Sequence, residues 1–389
     1  MPGRALNILA RPYNGKDLMY RRTFLSLAAG AAAACSKPKA SGFPGYAFVA
    51  NQEGQAIAVV DLSAFAVAKH IPLEGKPSEV IAHPTRPSVY ALTSANGTIH
   101  EIDSASLKFN RKVSLGQPVD HIRLSNEGQT IWALARNPHR MMELRSADWK
   151  VNRTVPLPAE PLDFDIAKKL GHAVISFGAA APPHVFHLES AKLIGKLTGE
   201  GQYSIARFQS NGEAVLAGDR DGKLLSIFSM PSCALVSHLT LAVRPDYWCF
   251  KNDGGQLFLA GEGSEEVAIV YPYRTEVAET ILAGHAPRGM TTVSTQEMDY
   301  LFVASPKSGD VTILNVDTHK VIAVVAVGKN PGFLMPTPDN EFVLVLNQDS
   351  GDMAVIRVKS ITRNRSKSAP LFTMIPVGSK PVAAAVQGV

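Results

Sequence analysis

Three cysteines in 389 residues, Cys35, Cys233 and Cys249, are too few for a disulfide framework. No Cys-x-x-Cys-His occurs, which excludes covalent haem attachment through that motif. There is no Gly-x-Ser-x-Gly elbow, so the usual serine hydrolase signature is missing. No Gly-x-Gly-x-x-Gly opens a helix and no phosphate loop is present, so the common nucleotide signatures are missing too. The apolar, Ala-rich stretch from Leu25 to Ala34 is too short to span a bilayer as a stable anchor. Excess positive charge is also scarce once it is placed. The chain holds 39 Lys+Arg and 34 Asp+Glu, but residues 1–34 contain five basic residues and one acidic, which leaves 34 against 33. The basic balance belongs to the N-terminus, and a broad nucleic-acid-binding face loses its compositional support.

What the chain has is a repeat. Strand-type apolar runs begin at Tyr46, Val89, Ile131, Ala173, Val215, Leu257, Tyr300 and Phe342, each 42 or 43 residues after the last. Each is followed by a turn and a second run, such as Ala56–Asp61, Thr98–Asp103 or Val311–Val316, and then by a third, such as Arg111–Leu115 or Val321–Val325. Gly/Pro turns lead on to strands that begin near Ser78, Val119, Pro161, Tyr203, Pro245, Arg288, Gly332 and Val382. Turn formers such as Ser125-Asn126-Glu127-Gly128 and Asn252-Asp253-Gly254-Gly255 return the chain to the next repeat. Short strands with a turn signal every 8–12 residues at this period predict an all-β fold, a β-propeller of eight blades with four antiparallel strands each. Seven blades is the alternative, should the degenerate repeat 173–214 pack irregularly. The phase is offset: the array opens with a second strand at Tyr46 and ends with a first strand, Val382–Val386, which can complete the first blade and close the ring. One domain is expected over 46–389. Cys233 falls at an outer turn and Cys249 on an inner strand, so both are expected free and buried.

The N-terminus is a targeting segment. Tyr20-Arg21-Arg22-Thr23-Phe24-Leu25-Ser26 matches a twin-arginine export motif, with Arg21 and Arg22 as the signal pair. Ala33-Ala34-Cys35 is similar to the end of a lipobox, although Ala32 stands where Leu is usual. Residues 1–34 then form the signal, Cys35 is the lipidation site, and 35–45 is the linker to the propeller. The alternative is plain cleavage and a soluble periplasmic protein. Starting at Met19 would give a signal of standard length. The localisation expected is the bacterial periplasm or cell envelope.

With Tyr46–Asn51, Val311–Thr318 and Val327-Gly328-Lys329-Asn330-Pro331 in view, the chain resembles the YVTN-type propeller repeats of bacterial periplasmic and surface proteins, over residues 46–389. Propellers of this superfamily include lactonase-like enzymes and haem d1-binding domains. The resemblance lies in turn and core positions and transfers no catalytic residue.

Within a propeller, loops that enter the innermost strands share one channel mouth with loops joining second and third strands. There the sequence collects Asp120, His121, Arg136, His139, Arg140, Tyr203, Arg220, Asp246, Tyr247, Trp248, His285 and Arg288. Arginine forks match carboxylates and aromatic rings stack on flat faces. A pocket with cationic and aromatic walls would receive an anionic ligand, a glycan or a peptide. Alternatively these are ordinary loop residues, with Tyr247 and Trp248 in the core. His184 and His187 lie three apart on a strand and point to opposite faces, so they do not chelate one ion. No metal site is predicted. The basic residues Lys359, Arg363, Arg365 and Lys367 fall in an insertion expected at the outer rim.

Three functions are compatible with these features. The first is a non-catalytic, monomeric binding scaffold, lipid-anchored through Cys35, for an envelope protein, peptide or cell-wall polymer. The second is a lactonase-type hydrolase, which needs a convergent Arg/His/Glu set or a divalent metal. The third is a tetrapyrrole-binding protein with His121 or His285 as axial ligand to a haem-type group among the arginines.

Overall fold

The computed structural model describes residues 42–388, apart from 168–169 and 362–368. Arg21, Arg22, Cys35, Arg363, Arg365 and Lys367 lie outside the described residues. Among those described, 32 strands and four short 3-10 turns make up the regular structure, and no helix is long and apolar enough to cross a membrane. Numbered β1 to β32 in chain order, the strands form eight separate four-stranded antiparallel sheets. The propeller has eight blades. The degenerate repeat at 173–214 builds regular sheets like its neighbours, so the seven-blade alternative falls away.

The strands nearest the channel axis are β4 (Glu79–Ala82), β8 (Val119–Ser125), β12 (Asp163–Ala167), β16 (Tyr203–Phe208), β20 (Tyr247–Phe250), β24 (Met290–Ser294), β28 (Pro331–Pro336) and β32 (Pro381–Gly388). Ring closure follows the predicted phase. β32 pairs antiparallel with β1 (Gly45–Asn51), so the last strand of the chain is the innermost strand of the first blade. Joining the two ends of the array in one sheet leaves no blade incomplete.

One position shows how the repeat becomes a core. Phe48, Tyr90, Trp132, Val174, Leu216, Phe258, Phe302 and Leu344 occupy equivalent sites on the eight second strands. All eight are at most 1 % exposed. Each contributes about 2–3 kcal/mol by burial. Their partners on the third strand are Val59, Glu101, Glu143, Val185, Ile227, Ile269, Ile313 and Val355, and a bulge follows every one of them as the outermost strand begins to pair. The bulge twists the exposed edge and discourages edge-to-edge pairing with other chains.

In blades 2 and 3 the partner is a buried glutamate, and the outermost strand supplies its match. Glu101 accepts from Arg111 Nε (2.6 Å) and Asn110 Nδ2 (3.0 Å). Glu143 accepts from Arg153 Nε (2.6 Å) and Asn152 Nδ2 (3.0 Å). Arg111 reaches on to the Ser146 and Ala147 carbonyls, and Arg153 to that of Glu189, so each unit also clasps the next blade.

Cys233 is buried at an outer turn and Cys249 lies on β20, and neither forms a disulfide. Residue Cys249 is only half-buried, against expectation, because innermost strands are spaced by the channel. Its thiol is nonetheless enclosed, and burial pushes its pKa up to about 12.

Candidate functional site

In an up-and-down blade the chain crosses between the two faces with every strand. Loops entering the innermost strands and loops between second and third strands therefore share the near mouth of the channel. Loops between first and second strands, and between third and fourth, share the far mouth.

The near mouth holds the predicted residues in three groups. In blade 3, Arg136 binds Asp120 through two parallel bonds, Nε to Oδ2 (3.0 Å) and Nη2 to Oδ1 (2.6 Å), and Glu160 lies 3.2 Å from the same Nε. The bond to Asp120 raises the Arg136 pKa further. His139 Nδ1 contacts the Arg136 carbonyl, and Arg140 donates to the Gln117 amide oxygen. His121, half-buried at the start of β8, makes no side-chain hydrogen bond to a described residue.

In blades 5 and 6, Asp246 lies between two arginines, 3.2 Å from Arg220 Nε and 3.3 Å from Arg244 Nε. It also accepts the Glu262 backbone N–H at 2.9 Å. Both Nε atoms, like that of Arg140, are shielded from water yet poorly aligned for a hydrogen bond. Tyr247 carries the Arg288 guanidinium over its ring at 5.9 Å, and His285 Nδ1 pairs with Glu265 at 2.9 Å.

Two predicted residues belong to the wall. Tyr203 is 1 % exposed, and its hydroxyl donates to Ser226 Oγ (2.8 Å), which itself meets His238 Nδ1 at 2.7 Å. Trp248 donates to the Pro245 carbonyl (2.8 Å) and packs on Gly218, where an added Cβ would come within 2.7 Å of its ring.

The cationic wall expected at this mouth is therefore largely neutralised. Arg136, Arg220 and Arg244 sit on carboxylates, whereas Arg288 has no ion pair among the described residues. The cause is placement: Arg136 and Arg220 come from turns between second and third strands, and the acids Asp120 and Asp246, with Arg244, from the entry to an innermost strand. His184 and His187 do face apart. His184 is buried against Phe177, while half-buried His187 meets Ser190 and His172. Among the described residues no group of three or more His, Cys, Asp or Glu could hold a metal ion. Lys359 is paired with Glu341 at 3.1 Å.

Deeper in the channel are charged residues that the sequence reading missed. Innermost strands of neighbouring blades diverge, so backbone N–H groups on their free edges need other acceptors. Glu79 of β4 accepts the Ile122 N–H (2.9 Å) and Arg123 of β8. Two blades on, Asp163 of β12 accepts the Ala206 N–H (3.2 Å) and Arg207 of β16, and Asp165 accepts the Phe208 N–H (2.9 Å). Burial works against the Arg207 charge, but Asp163 and Asp165 outweigh it and hold the guanidinium protonated. A carboxylate followed 44 residues later by arginine, twice over, was the available signal. Below this belt a cavity of about 300 Å³ reaches Ile81, Arg123 and Asp165, and one of about 390 Å³ opens at the far mouth between blades 4, 5 and 6.

No protein-family model and no curated protein matches this chain. Solved structures do. Dihydro-haem d1 dehydrogenase NirN in complex with DHE is similar over 88% of this chain and 75% of its own, at TM-score 0.73 and 15% identity. Kuenenia stuttgartiensis hydrazine synthase is similar over 74% and 96%, at 0.56 and 13%. The Myceliophteria thermophila Swd1 propeller domain is similar over 72% and 96%, at 0.58 and 11%. At these identities the likeness shows the β-propeller fold alone, shared by proteins of unlike function.

Proposed function

We propose that this protein is an exported, lipid-anchored β-propeller that acts as a non-catalytic binding scaffold, with its recognition surface at the near mouth. The observation that carries this reading is the set of pre-oriented charge pairs there. Arg136 with Asp120, and Asp246 between Arg220 and Arg244, present fixed charges of both signs beside Tyr247 and Arg288. Alternating signs on rigid loops suit complementary side chains of a protein or peptide better than a uniformly charged polymer. An envelope protein or peptide fits these charges best. Export through Arg21 and Arg22, and anchoring through Cys35, place the scaffold at the cell envelope. The test is proximity cross-linking in the exporting cell from a photoreactive residue at position 139. A discrete adduct that Arg136→Ala or Arg220→Ala weakens supports the reading, and labelling indifferent to both refutes it. Cys35→Ala should abolish lipid labelling and release the protein from membranes.

A second reading is favoured by the fold match to the DHE-bound dehydrogenase. His121 has a ring free of partners, and Arg288 has a guanidinium free of carboxylates, so these two would meet a tetrapyrrole's iron and one of its acid side chains. His285 fits less well because Glu265 holds it. Haemin titration decides: a Soret shift lost in His121→Ala would support this reading. The arrangement gives no comparable support to the lactonase-type alternative, since the mouth arginines turn to their own acids rather than to a common point.

A further inference from the structure

The far mouth is built differently, and the geometry points to a second ligand site there. We propose that the cavity of about 390 Å³ between blades 4, 5 and 6 binds a small neutral polyhydroxylated ligand, of the size of a mono- or disaccharide. The deciding residue is Gln209. It lines the cavity, is only 6 % exposed, and its side-chain amide makes no hydrogen bond to any described residue. Neither amide atom is sealed from water, so the group opens into the cavity and keeps its donors and acceptor available. A ligand that both donates and accepts would match it.

The other walls define the ligand. Asp165 gives one oxygen to the Phe208 N–H and, although its charge supports that of Arg207, makes no close ion pair among the described residues, so its second oxygen can accept. Arg207 spends Nη1 on Asp163 and the Ala206 carbonyl, which leaves the rest of its guanidinium to donate. Phe208, Phe250 and Leu170 supply apolar surface. A carboxylate, a carboxamide and a guanidinium around one space match hydroxyl groups, each of which donates and accepts. The aromatic and aliphatic walls match the C–H faces of a sugar ring. Ligand charge is disfavoured in either sign, since an anion meets Asp165 and a cation meets Arg207. A volume of this size lies at the lower end of the range for small-molecule sites.

This inference is independent of the near-mouth function. It is tested by calorimetric titration of the purified full-length protein with glucose, N-acetylglucosamine and cellobiose, and with glucosamine and glucuronate as charged counterparts. The expected result is saturable one-site binding of at least one neutral sugar in the millimolar range. Gln209→Leu should weaken it about tenfold, as the loss of one net hydrogen bond does. Leu170→Trp, at an exposed lip position, should block it with the thermal midpoint unchanged, and Arg136→Ala should leave it intact. No neutral sugar bound at about 50 mM, well above the range expected for so small a ligand, would overturn the proposal. So would tighter binding of glucosamine or glucuronate, or unchanged affinity in both Gln209→Leu and Leu170→Trp.

Discussion

The two mouths of one channel are made from the same repeat and solve opposite problems. At the near mouth, Arg136 is half-exposed and satisfied by Asp120, and Asp246 is shared by two arginines, so polar groups face water with partners in place. At the far mouth, Gln209 is largely enclosed and its amide opens into a cavity without a partner among the described residues, next to a carboxylate with an uncommitted oxygen. Paired exposed charge suits a surface that meets another surface. Unpaired enclosed polarity suits a pocket that meets a small molecule. At the near mouth, turns between second and third strands meet the entries to innermost strands and bring acid and base together, while the far mouth is bordered by hairpin turns whose polar atoms largely serve their own backbone.

The largest expected effect separates the belt between the mouths from both of them. Asp163→Ala should lower stability by about 3 kcal/mol in urea unfolding, because Arg207 is then left mostly buried without the acid that it hydrogen-bonds. Asp163→Leu combined with Arg207→Met should recover most of that loss, and a failure to recover would show the belt to be more than a charge pair. Next in size is the roughly tenfold weakening of sugar binding in Gln209→Leu.

Acid pH probes the wall rather than either mouth. Burial is the main cause that holds His83, His100, His172 and His184 below the ordinary histidine pKa. Unfolded, these rings gain a proton near pH 6.5. Folded, they remain neutral to lower pH, so the unfolded chain binds more protons in that window and stability falls with falling pH. The urea midpoint should therefore drop between about pH 7.5 and about pH 5.5, and His184→Phe should reduce the drop. The smallest effect is expected at the near mouth. Arg136→Ala should change stability by less than about 1 kcal/mol, as exposed pairs do, while weakening partner cross-linking. A larger loss would mean that the pair holds the mouth together instead of presenting it.

Much of the architecture was legible because its causes are local. Alternation and turn residues located all eight second strands to within a residue, and the closing strand at 381–388 followed from the phase. The near-mouth residues were located by loop order, yet their pairing was not legible. Asp120 and Arg136 are 16 apart, and Asp246 draws on Arg220 and Arg244 from different loops. Tyr203 looked like a loop aromatic from its place at the start of a strand, and only its register points it inward to Ser226. Gln209 carried no sequence signal, since a turn glutamine is ordinary until the space around it is known.

The sequence by itself determined the propeller repeat, its phase and the closing strand, because strand and turn signals are local and recur every 42 or 43 residues; the structure decided eight blades over seven. Only the tertiary structure decided which charges cancel, which histidine remains free and where a polar side chain is enclosed without a partner. Those outcomes depend on how neighbouring blades abut, across Glu79 to Arg123 and Asp163 to Arg207, over distances that no local pattern encodes.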